Sequence, residues 1–194
     1  MNNIETLTLK EKNISDFAEA RNRLLKKAKS EWVLFVDADE VATEALASEI
    51  RNYKLEIRNY SGFFIKRKIV FLGKAVGEDK VLRLARKNSG KWVRAVHETW
   101  NVAGSTATLK NYIVHNTADN LHGYLEKINK YSDIHAGENL KEGKRSNICK
   151  IIFYPILKFW QNMLYGRGFV FSLMQSFHSY LSWSKLWIMQ KQKN

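Results

Sequence analysis

Trp32-Val33-Leu34-Phe35-Val36-Asp37-Ala38-Asp39-Glu40 is the stretch from which the fold is read. Its first five residues are apolar without a break, β-branched or aromatic, and fit a strand buried on both faces. Upstream, Asp16 and Glu19 stand at the spacing of a capping box, and Phe17, Ala20, Leu24, Leu25 and Ala28 recur at helical intervals. They predict a helix over 16–29. Downstream, Thr43 can cap a short helix over 44–52, with Ala47 and Ile50 on one side. Helix, buried strand and helix in succession indicate α/β layers.

The middle of the chain reads differently. Segments 62–72, 80–86, 91–96 and 108–115 look like short strands, with turn signals at Gly73, Gly77, Asn88 to Gly90 and Gly104. Asp119 is then expected to cap an amphipathic helix with Leu121, Tyr124, Leu125, Ile128 and Tyr131 on one stripe, ending before Gly143. The expected division is residues 1–118 as an α/β core and residues 119–194 as a basic, aromatic helical region.

The 194 residues, 45% of them apolar, suffice for one proper core, so disorder and fibrous repeats are excluded. The single cysteine, Cys149, cannot form an internal disulfide and belongs to no zinc-finger spacing. A reducing compartment follows. The N-terminal segment lacks the basic start and apolar run of a secretory signal, so a cytoplasmic location is expected. The formal charge of +13 calls for an anionic partner. From Gly143 onward there is no Asp or Glu, whereas eight Lys or Arg are interleaved with Trp160, Trp183 and Trp187 and with eight Phe and Tyr residues. Gly168 to Ser184, its longest uncharged run, is short for a bilayer span and carries several polar residues. Lying on an anionic membrane surface is the expectation, against ordinary core helices as the plainer reading; no recognition motif supports nucleic acid.

Asp37, Asp39 and Glu40 follow the buried strand directly, and ligands of open α/β sheets bind at the carboxyl ends of strands. Clustered carboxylates repel one another unless a cation lies between them, and hard oxygen ligands suit Mg²⁺ or Mn²⁺ completed by substrate phosphate oxygens. The alternative is that three acidic residues merely end a strand and begin a turn.

The block Phe17-Ala18-Glu19-Ala20-Arg21-Asn22, Ala28-Lys29 and Trp32 to Glu40 resembles the helix–strand–Asp-x-Asp segment of family 2 glycosyltransferases of the GT-A fold. Val81-Leu82-Arg83-Leu84, Val96-His97-Glu98, Leu109-Lys110-Asn111 to His115, Asn129-Lys130-Tyr131-Ser132 and the basic aromatic tail are similar in order to the bacterial branch that includes lipopolysaccharide core glycosyltransferases. The resemblance spans roughly residues 14 to 189. It implies a GT-A-like, Rossmann-like mixed sheet with flanking helices and C-terminal amphipathic helices. The implied activity is inverting transfer of a sugar from a nucleotide diphosphate sugar to a hydroxyl of a glycan or lipid-linked acceptor, in cell-envelope polysaccharide or lipopolysaccharide-type synthesis. Asp39 would bind the metal, Mg²⁺ or Mn²⁺; Asp37 would sit toward ribose and sugar; Glu98 would be the general base, with His97 beside it. His115 is a further metal-ligand candidate, Arg21 and Asn22 are candidate nucleotide contacts, and Arg83 is expected to face the diphosphate or a carboxylate. The implied location is peripheral, on the inner face of the cytoplasmic membrane.

The family's first strand–helix units have no counterpart before Asp16, where Ile4, Leu7 and Leu9 could supply only one strand. A sheet so shortened is expected to pair its edge with a second copy or a completing chain. The alternative function is a non-catalytic fragment or subunit that binds membrane or a partner enzyme.

Overall fold

The computed structural model describes residues 4–10, 14, 16–52, 59–94 and 98–192. In chain order its elements are β1 (Ile4–Leu7), α1 (Phe17–Lys27), β2 (Trp32–Phe35), β3 (Glu40–Ala42), α2 (Glu44–Asn52), β4 (Gly62–Phe71), β5 (Lys74–Arg86), β6 (Gly90–Val93), β7 (Thr99–Val102), β8 (Thr106–Ala118), α3 (Leu121–Lys141), α4 (Ile148–Leu164) and α5 (Phe169–Gln192). They build a mixed α/β architecture. A six-stranded sheet runs β1-β2-β5-β4-β8-β3, and β6 with β7 forms a separate ribbon. β2 is parallel to β1 and antiparallel to β5. Contacts divide the chain into two compact units, Met1–Ile69 with Glu78–Asn116, and Val70–Gly77 with Thr117–Asn194.

In the first unit, β2 is buried at all four positions, and its alternation explains how. Trp32 and Leu34 pack with Leu46 and Ile50 of α2 and with Phe63, Ile65, Leu84, Leu109 and Ile113. Val33 and Phe35, on the other face, pack with Ala18 and Leu25 of α1 and with Leu82, Trp92 and Trp100. Both capping expectations hold: Asp16 accepts a 2.8 Å hydrogen bond from the Glu19 N–H, and Thr43 Oγ1 accepts one of 3.2 Å from the Leu46 N–H.

Several local expectations are corrected. β5 begins at Lys74 and runs through Gly77, a predicted turn, which keeps an extended path at φ +152°. The reversal lies at Leu72 and Gly73, both at positive φ (48° and 75°), as a two-residue hairpin turn requires. β3 and β7 are new, and the fourth predicted strand is longer than expected, 106–118. The predicted strand over 91–96 is observed as Gly90–Val93; Ala95, Val96 and His97 lie outside the described residues.

In the second unit, the N-cap of α3 is Asn120, not Asp119: its side chain accepts from the Gly123 N–H at 2.8 Å. The buried stripe of α3 is Tyr124, Ile128, Ser132, Ala136 and Asn139, while Leu121 and Leu125 face solvent. Ser132 and Ala136 are fully buried, and Tyr124 accepts a 2.8 Å hydrogen bond from Gln175 of α5. Phe71 stacks edge-on against Tyr124 and Phe171. Among the described residues, no helix is long and apolar enough to cross a membrane.

Candidate functional site

Where β2 ends, the backbone turns sharply: the Glu40 N–H donates to the Asp37 carbonyl at 3.0 Å, and β3 begins. Antiparallel pairing of β3 with β8 sets Glu40 opposite His115. The three acidic side chains of this four-residue turn meet different sets of partners, with Arg83 common to Asp37 and Glu40.

Asp37 points to two arginines. Its Oδ1 accepts from Arg21 Nη1 at 2.6 Å, and its Oδ2 accepts from Arg21 Nη2 at 3.1 Å and from Arg83 Nη2 at 2.6 Å. Burial alone would push this carboxyl up; the Arg83 and Arg21 guanidiniums override it and hold it below the usual carboxylate range. Arg21 in turn also grips Glu98, whose Oε1 accepts from Nε at 3.1 Å and Nη2 at 2.8 Å. Only 3% of the Arg21 side chain is exposed. Burial opposes its charge, and Asp37 and Glu98 outweigh that, so its pKa is raised. Its guanidinium lies 4.8 Å from the ring centre of Trp92, over an aromatic floor in which Trp92 and Trp100 stack across the β6–β7 ribbon and Phe35 meets both edge-on.

Glu40 stands in the sequence as part of the carboxylate cluster with Asp37 and Asp39, with no role of its own expected for it. Its side chain is fully buried; Oε1 accepts from Arg83 Nη2 at 2.9 Å and from Arg67 Nη1 at 3.2 Å, and Oε2 accepts from the Asp37 N–H at 3.0 Å. Arg67 continues to Asp79 across the β4–β5 hairpin, at 2.9 and 2.6 Å. The signal for Glu40 was its place in the acidic run. Arg67 and Asp79 carry none, because only the hairpin register brings them together.

Among the described residues, four carboxylates (Asp37, Glu40, Asp79, Glu98) share three guanidiniums (Arg21, Arg67, Arg83) in one connected set of ion pairs. Asp39 is the most open acid of the turn, 37% exposed, with His115 Nε2 at 3.2 Å from Oδ2. The other ring nitrogen of His115 is buried and has no hydrogen-bond partner among the described residues.

The expected Mg²⁺ or Mn²⁺ can be tested against these donors. Every hydrogen bond described for Asp37 comes from a guanidinium or ties the turn, and among the described residues no group of three or more His, Cys, Asp and Glu could hold a metal ion. Asp39 offers an exposed carboxylate oxygen, and a Mg²⁺ ion held there would have to take most of its shell from phosphate oxygens and water.

The remaining expected residues sort clearly. Arg83 faces carboxylates, one of its two expected roles. Asn22 spends its amide on Trp92, donating to its carbonyl and accepting from its N–H, both at 2.9 Å, so it fastens α1 to β6. His97 lies outside the described residues.

No protein-family model matches the chain. The chain is 24% identical over 188 residues to the lipopolysaccharide core biosynthesis glycosyltransferase LpsC of Rhizobium meliloti (strain 1021), covering 88% of this chain and 69% of that protein.

Proposed function

We propose that the chain is a family 2 glycosyltransferase of the GT-A type, transferring a sugar from a nucleotide diphosphate sugar to a hydroxyl with inversion. The acceptor in this reading is a glycan or lipid-linked precursor of the cell envelope, met at the inner face of the cytoplasmic membrane. The observation that carries it is the Asp37–Arg21–Glu98 bridge at the carboxyl end of β2, in a chain similar along most of its length to a protein named as a glycosyltransferase.

One guanidinium holds both carboxylates, so the group assigned to the sugar and ribose side, Asp37, and the group assigned to the acceptor side, Glu98, keep a constant separation. Glu98 accepts the proton of the attacking hydroxyl. Arg83 and Glu40 hydrogen-bond to Asp37, and Asp39 is the most exposed acid of the turn. A Mg²⁺ or Mn²⁺ ion bound at Asp39, with His115 beside it, would supply positive charge for the leaving diphosphate.

A second reading, a non-catalytic subunit, draws on the commitment of Asp37 to arginines and on the lack of a three-donor metal cluster among the described residues. Thermal stabilisation by a panel of nucleoside diphosphates, with and without Mn²⁺, separates the two, because a ligand that binds only the native state raises the melting point. We expect one nucleotide to give a Mn²⁺-dependent shift that Asp39→Asn abolishes and Asp79→Asn keeps. No shift with any nucleotide, with the protein folded, favours the subunit.

A further inference from the structure

On α4, Ile152, Phe153, Ile156, Leu157, Trp160 and Leu164 are all exposed, Leu157 by 63% and Trp160 by 58%. Their spacing places them on one continuous arc of the helix, while Pro155 and Asn162 form its buried side. From Ile152 to Leu164, at about 1.5 Å per residue, this apolar strip is roughly 18 Å long. Water-exposed apolar strips of that size mark interaction surfaces.

The charge around the strip selects its occupant. Residues 143–194 contain eight Lys or Arg and no Asp or Glu. Arg145 and Lys150 stand at the start of α4, and the Lys150 ammonium lies 5.1 Å from the Trp183 ring centre; Lys158 lies on the side of the helix away from the strip, and Arg167 turns back to Asn162, its Nη1 donating to Oδ1 at 3.2 Å. A second copy meeting this face would bring one acid-free, basic segment against another, and a neutral apolar partner would leave Arg145 and Lys150 unused. Anionic headgroups above acyl chains satisfy both parts at once. α4 is also too short and interrupted by Pro155 to span a bilayer, which leaves the in-plane orientation.

We propose that α4 docks flat on an anionic bilayer surface, its six apolar side chains entering the headgroup–acyl boundary and its basic residues ringed by lipid phosphates. The inference stands on the helix alone and does not depend on the transfer reading.

The test uses the full chain with vesicles of phosphatidylcholine and phosphatidylglycerol at three to one, against phosphatidylcholine alone. The chain is expected to float with the anionic vesicles, and brominated acyl chains are expected to quench fluorescence that Trp160→Phe lacks. Leu157→Glu with Trp160→Glu, on an already exposed face, is expected to weaken partitioning about a hundredfold without changing the circular dichroism. Arg145→Gln with Lys150→Gln leaves the apolar strip intact and is expected to cut the preference for anionic vesicles by roughly thirtyfold. Wild-type protein that stays in solution with both vesicles overturns the proposal, as does equal flotation of the Glu variant. A dimer that the Glu substitutions dissociate, with no vesicle binding, assigns the face to a second copy instead.

Discussion

A guanidinium with 3% of its side chain exposed needs carboxylates around it, and Arg21 has two, Asp37 sixteen residues on and Glu98 seventy-seven residues on. Removing it takes from Glu98 the guanidinium that holds it and leaves Asp37 to Arg83 alone, both in a poorly hydrated place. Arg21→Met is therefore expected to cost about 3–5 kcal/mol, measured by urea denaturation. Adding Glu98→Gln to that variant should restore part of the loss, since an uncharged amide no longer needs a counter-charge. Equal stability of wild type and Arg21→Met would mean that the bridge is loose in solution. The acidic run and the helical placement of Arg21 were legible as residues; their pairing was not, because ion pairs of this separation obey no periodicity.

At the scale of elements, the ribbon of β6 and β7 holds the aromatic floor under Arg21, and Gly90 opens the first of its two strands. Gly90 pairs with Val102, and a Cβ added there would lie 1.8 Å from the Asn101 carbonyl oxygen, a backbone atom that cannot step aside. Gly90→Ala is expected to destabilise by about 1–3 kcal/mol and to alter the exciton signal of stacked Trp92 and Trp100 in near-ultraviolet circular dichroism. An unchanged spectrum and melting curve would show that the ribbon opens without cost. Gly90 was read from sequence as a turn residue, and its role in close strand approach was not visible. β3 was missed for a related reason: three residues are too few to show alternation, and its pairing with β8 is a tertiary event. α3 shows the limit of stripes, since its apolar Leu121 and Leu125 face water while Ser132 and Asn139 are buried.

At the scale of the molecule, the helical unit carries its own pH sensitivity through Tyr124, buried between α3 and α5. Burial pushes its phenol up to about 12, against an ordinary value of 10.0. The folded state thus holds this proton more tightly than the unfolded chain does. The stabilisation is fully present below pH 10 and disappears as pH rises toward 12. Melting temperature is expected to fall across that window, and Tyr124→Phe, which has nothing to titrate, should lessen the fall. An identical alkaline profile for the variant would place the sensitivity elsewhere.

The buried strand Trp32–Phe35, the caps at Asp16 and Thr43, the α/β layering and the basic tail depend on short-range pattern, and the amino-acid order alone specified them. Periodicity and capping are local, so a window of a few residues contains the whole signal. The arginine network, the burial of Glu40, the approach of His115 to Asp39 and the water-facing strip on α4 emerged only once the chain was folded. Each of these depends on which strand lies beside which, or on which side of a helix finds a neighbour, and such choices are made by the packing of the whole chain.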